Sequence, residues 1–197
     1  MTETTDVVAL APRPRSQFVA TGFAVAAGSM MMAGAIGWYM ARRHQVSSPG
    51  LHGNWVPEGV AIPTPQLDYA LLTLLLSVVT AHWALYASRR SDRGNTWLAI
   101  ATTIFLGLAF INMVMYSLNR MDLEIGSGEW ANLAFAVTGL SLALAVVGLF
   151  YMGLMALRSL GGNMGRVGSA PLGAAVFFWD FVALAWAATW YAVYVVK

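Results

Sequence analysis

The residues with chemistry to offer are few and far apart. Asp180 stands alone in VFFWDFVALAW, residues 176–186, an otherwise apolar and aromatic run. Placing an ionised carboxylate in hydrocarbon costs about 3 kcal/mol even on lenient insertion scales, so such a residue is functional, paired or protonated. His82 lies inside a second apolar run, LLTLLLSVVTAHWAL, where an imidazole can snorkel toward the membrane surface. His44 and His52 sit in a polar stretch without a ligand spacing, and hydration accounts for them. Met30, Met31 and Met32 offer thioethers of the kind that bind Cu(I). Consecutive helical residues are turned about 100° apart, however, and cannot converge on one ion. Adaptable packing is the better use of three methionines. No two histidines are spaced to ligate haem or a binuclear metal centre, and the absence of cysteine excludes disulfides and thiolate sites. The chain therefore shows no catalytic, cofactor-binding or metal-ligating set of its own.

The elements that must position Asp180 and His82 follow from composition. Hydrophobic residues make up 58% of the 197 and charged ones 10%, outside the balance of a soluble domain. A net charge of +2, scattered along the chain, does not suit nucleic acid. Five runs, roughly Phe18–Ala41, Leu67–Ala87, Trp97–Leu118, Trp130–Leu157 and Leu172–Val196, each hold 20 or more residues. At about 1.5 Å per residue each can cross a hydrocarbon core of about 30 Å. The first run is too long for a cleaved signal and no small-x-small site follows it. The expected fold is an all-α integral membrane protein, a bundle of five transmembrane helices over residues 18–197. Residues 1–17 form a polar, proline-containing cytoplasmic tail, and the Pro- and Gly-rich stretch 42–66 an irregular loop. No internal repeat is visible.

Arginine placement orients the bundle. With the N-terminus in the cytoplasm, Arg13, Arg15, Arg89, Arg90, Arg93, Arg158 and Arg166 lie inside, against Arg42, Arg43, Arg120 and Lys197 outside. An odd number of spans then puts the C-terminus outside. Two stripes of small residues recur at helical spacing: Gly22, Ala26, Ser29, Ala33 and Gly37 in the first span, and Thr73, Ser77, Thr80, Ala84 and Ser88 in the second. Such stripes let helix backbones approach closely. Tight packing within the bundle is expected of them, and a docking face for another subunit or a lipid tail is compatible with it.

The order of residues along these spans resembles subunit III of cytochrome c oxidase and the related third subunits of haem–copper oxidases. MMAGAIGWYMARR matches that family's first-segment pattern at Ala33, Gly34 and Tyr39, followed by a similar Trp-Pro-rich loop (NWVPEG, then PTP). LLTLLLSVVTAHWAL with arginines after it, LGLAF, AFAVTGLSLALAVVG with its Phe-x-x-Thr-Gly frame, and FWDFVALAW continue the likeness. The last resembles a Tyr-Trp-His-Phe-Val-Asp-x-x-Trp signature, retaining Trp179, Phe181, Val182 and Trp186. The resemblance covers about residues 18–197 and five of the family's seven helices.

Departures fall on ionisable positions. The family's buried glutamate falls at Ser29, its Glu-Tyr pair at Ser117 and Leu118, and a Thr-Gly-x-His-x-x-His element reads Thr138 to Leu144, with Ser141 in place of the first histidine. In the last helix the histidine is Asp180 and the aspartate is Ala183. Packing positions match while carboxylates do not, which places roles such as support of proton uptake in doubt. The resemblance implies a non-catalytic accessory subunit, packed beside catalytic subunit I and subunit II, which would hold the haem and copper, in a bacterial cytoplasmic (inner) membrane. Aerobic respiration, electron transport and phospholipid binding follow from the same likeness. A nitric oxide reductase accessory and a free-standing small transporter are the alternatives. Asp180, His82, Ser29, Ser141, Trp179 and Trp186 are the candidate intramembrane polar, lipid-contact or subunit-contact residues. Asp180 is expected to be an uncharged acid bonded to tyrosine hydroxyls or backbone, since a neutral acid needs only hydrogen-bond partners, and a direct contact with His82 is the competing arrangement.

Overall fold

The computed structural model describes residues 16–47, 55–57, 60–122, 126, 128–160 and 169–196. Of the expected tail, residues 1–15 lie outside these, as do His52, Arg166 and Lys197; Ser16 and Gln17 are helical. The helices are α1 (Ser16–Val46), α2 (Thr64–Arg89), α3 (Arg93–Arg120), α4 (Glu129–Leu160) and α5 (Ala170–Thr189). All five are long and apolar enough to cross a membrane, and no strand occurs among the described residues. The chain is a multi-pass membrane protein.

The first four helices each outrun their apolar stretch. Arg, Gln and His are adequate helix formers, so α1 carries on through Arg42, Arg43, His44 and Gln45, and the loop expected from residue 42 begins only at Ser47. At its other end α2 already starts at Thr64, with Pro65 in the first turn, where its missing N–H costs nothing. The last span is not α-helical throughout. Trp190–Val195 is a π-helical segment, in which the Val196 N–H donates to the Tyr191 carbonyl five residues back at 3.0 Å.

Central in the bundle is α5, 72% of whose spanning window is buried against 17% for α1 and 33% for each of the others. Apart from Asp180 its sequence is apolar nearly all round, as a helix largely enclosed by neighbours requires. α1, α2 and α4 pack on it directly, α3 bridges α2 and α4, and α1 also meets α4.

The two stripes behave differently. In α2, Ser77 and Ala84 are buried and Thr73, Thr80 and Ser88 half-buried, so that stripe packs within the bundle as expected. The α1 stripe does not. Ala26, Ser29, Ala33 and Gly37 are exposed, and the inward face is Thr21, Gly28, Met32 and Tyr39 instead. Large side chains decide the rotation: Met32 and Tyr39 take the interior, and Gly28 admits the Phe181 ring, which a Cβ there would meet at 2.8 Å.

Candidate functional site

The interior of the bundle is held by polar side chains of α5 reaching its neighbours. Trp179 is fully buried and its indole N–H donates to Ser77 Oγ of α2 at 2.9 Å. The same ring lies against two glycines. A Cβ on Gly148 of α4 would come within 2.7 Å of it, and one on Gly107 of α3 within 3.0 Å. One side chain thus fixes three helices. Trp186, about two turns further on, packs edge-on against Phe110 of α3 at 5.0 Å between centroids.

Hydroxyls join α4 to α5 above this level. Ser141 and Thr189 lie 2.7 Å apart, and Thr138 and Tyr194 also 2.7 Å apart. Thr80 and Thr103 link α2 to α3 at 2.8 Å. In an apolar surrounding each buried hydroxyl needs such a partner, and helix-to-helix bonds supply it. Trp179, Trp186 and Ser141 are therefore interior residues whose surroundings are this chain's own helices. Ser29, on the exposed side of α1, donates to the Val25 carbonyl at 2.7 Å.

At the end where α1 finishes, Tyr39 is fully buried and its hydroxyl accepts from Trp55 Nε1 at 3.0 Å and from Trp130 Nε1 at 3.1 Å. Arg42 pairs with Glu129 of α4, and Arg43 Nη2 donates to the Val196 carbonyl at 2.5 Å. Trp190 Nε1 donates to Asp68 Oδ1 of α2 at 2.9 Å. The chain's far end is sewn to α1 and α2 by these bonds.

Asp180 and His82 are brought together. His82 Nε2 and Asp180 Oδ1 are hydrogen-bonded at 3.0 Å, a geometry met by an imidazole donating to a carboxylate or by a neutral acid donating to an imidazole. This corrects the expectation of tyrosine or backbone partners: the Tyr194 hydroxyl is engaged with Thr138 instead. Although His82 lies off the α2 small-residue stripe, α2 turns the arc containing Ser77 and Leu85 toward α5, which puts His82 at the seam. The pair is not enclosed; the side chains are 53% and 31% exposed respectively.

Sequence reasoning passed over the partners that matter most for cohesion. Thr189 and Trp130 carried no signal, while Ser77, Tyr39, Thr138 and Tyr194 were visible only within stripes or family patterns. Met30 and Met31 face outward and Met32 inward, so they do not converge. Among the described residues no three His, Asp or Glu side chains come together as a metal site. Grooves among the described residues include one of about 410 Å³ between α1 and α4, with Thr21, Tyr151 and Arg158 in its lining, and one of about 670 Å³ between α2 and α3.

The family model for cytochrome c oxidase subunit III matches residues 17–197. A probable cytochrome c oxidase subunit 3 of Rickettsia conorii is 29% identical over 147 residues, covering 69% of this chain and 52% of that protein. The cytochrome c oxidase subunit 3 of Cyprinus carpio is 26% identical over 164 residues, 81% of this chain and 62% of its own. That of Oryctolagus cuniculus is 26% identical over 160 residues, 80% and 61% respectively. The matched region thus spans about half to three-fifths of the length of these relatives.

Proposed function

The chain belongs to the cytochrome c oxidase subunit III family, and from that premise we propose that it is a non-catalytic accessory subunit of a haem–copper terminal oxidase. One observation carries the reading: four interior polar side chains are spent on joining one part of the bundle to another. Trp179, Ser141, Thr138 and Tyr39 each bond to a different element of the same chain. Such a bundle supplies a rigid surface and not a reaction centre. Haem and copper belong to the catalytic partners, subunits I and II, and this chain stabilises them from the side.

The membrane is the bacterial cytoplasmic membrane, with the N-terminus inside. Arg42 and Arg43, which count against that orientation, have structural employment with Glu129 and Val196. Phospholipid is a second partner. The groove between α1 and α4 has apolar walls and Arg158 at its rim, which suits an acyl chain below and an anionic headgroup above.

Affinity purification of the tagged chain in mild detergent, followed by visible spectroscopy and mass spectrometry, tests the proposal. Haem absorbance accompanying larger membrane polypeptides is the expected result. A chain that purifies without any haem-bearing partner, or that holds haem by itself, contradicts it.

A further inference from the structure

The His82–Asp180 pair opens onto the outside of the bundle. On α5 it lies between Phe177, 41% exposed, and Leu184, 71% exposed; on α2 it lies between Val79, 63% exposed, and Tyr86, 53% exposed. The surroundings are those of a lipid-facing surface. Beyond their mutual bond, Asp180 Oδ2 and His82 Nδ1 have no described hydrogen bond. An acyl chain offers neither donor nor acceptor, so this arrangement facing bare lipid leaves polar atoms stranded.

Depth narrows the occupant. Asp180 lies ten residues beyond Ala170 and His82 seven before Arg89, hence about 15 Å and about 10 Å along their helices from those ends. Headgroups gather at the level of Arg89 and Arg90, so they do not reach Asp180. A polar side chain carried on a transmembrane helix does.

We propose that the α2–α5 seam is a docking surface for a transmembrane helix of a partner subunit, which places a hydrogen-bonding side chain against the His82–Asp180 pair. The inference deepens the accessory-subunit reading and rests on it for the existence of a partner. Val79, Tyr86, Phe177 and Leu184 supply the apolar contact, and the pair sets the register, because only one position along the partner helix meets it at the right depth.

Photo-crosslinking in the cells' own membranes tests this, with benzoylphenylalanine in place of Leu184. The expected adduct maps by mass spectrometry to a membrane span of another polypeptide, with a polar side chain within one turn of the crosslinked residue. In the His82→Leu, Asp180→Leu double variant, which strands neither member, the adduct should fall about tenfold, the scale of one good interhelical hydrogen bond. Asp180→Asn, which keeps a hydrogen-bonding side chain, should retain it, and circular dichroism of each purified variant checks that the bundle is intact. Adducts to lipid alone, to a second copy of this chain or to a wholly apolar segment overturn the proposal, as does full crosslinking in the double variant. Should that variant not fold, the mapping and the Asn variant decide. A haem-bearing complex without the adduct would sink this inference and spare the accessory reading; an adduct to a partner whose complex holds neither haem nor copper would do the reverse.

Discussion

Trp179 shows how much of the bundle rests on single contacts. Its indole is pinned by Ser77 and flanked by glycines on α3 and α4, so neither glycine can acquire a side chain without displacing a rigid ring. Gly148→Ala brings a methyl to 2.7 Å from that ring and should cost about 1–3 kcal/mol as overpacking. Gly139, on the same helix, has nothing within 4 Å of a Cβ, and Gly139→Ala should be neutral or slightly stabilising because alanine is the better helix former. Thermal unfolding in mild detergent compares them, and equal midpoints would contradict the packing. Tyr39→Phe makes a second case. Removing one hydroxyl strands the N–H groups of both Trp55 and Trp130, at about 1–3 kcal/mol for each buried group left unsatisfied. The same melting experiment should show a clear fall, and an unchanged midpoint would mean that those indoles find other acceptors. Residue chemistry was legible in part. Asp180 and His82 both announced themselves as polar groups in apolar runs, but their pairing did not, because adjacency of α2 and α5 depends on how the chain closes and not on local spacing.

At the scale of elements, the five spans were readable because length and apolarity are one-dimensional properties that the bilayer thickness reads directly. Helix rotation was not. Lipid is as apolar as leucine, so no polar face marks the outside, and the small-residue stripe of α1 pointed the wrong way while that of α2 pointed correctly. Ends follow local chemistry. Asp92 caps α3, accepting the Asn95 backbone N–H at 3.1 Å. That bond, with a second from the Asn95 side chain, lowers the Asp92 pKa below the ordinary carboxylate value. A depressed folded pKa contributes stability that is fully present above the unfolded value of about 3.9 and is lost as pH falls through the lower folded value. The melting advantage of the native chain over Asp92→Asn should therefore be constant above about pH 5 and shrink on further acidification. An advantage that grows on acidification would contradict the cap. Orientation belongs to this scale too: reporter fusions should place Asp92 in the cytoplasm and Gly126 outside. A cytoplasmic signal at Gly126 would reverse the arginine argument.

For the whole molecule, α5 is the organising element, and Ser77 of α2 and Ser141 and Thr138 of α4 bond to it and to the π-helical segment that continues it. Family membership and this cohesion fit a body whose task is to hold shape against a neighbour, with the redox groups elsewhere. The overall class was legible from composition, and the family from a series of motifs met in order along the spans, among them the one that carries Trp179 and Trp186. Quantifying iron and copper after detergent strips this chain from its purified complex tests that division of labour most directly. All iron and copper should remain with the residual complex and none should leave with the released chain; stoichiometric iron or copper on the released chain would contradict that division.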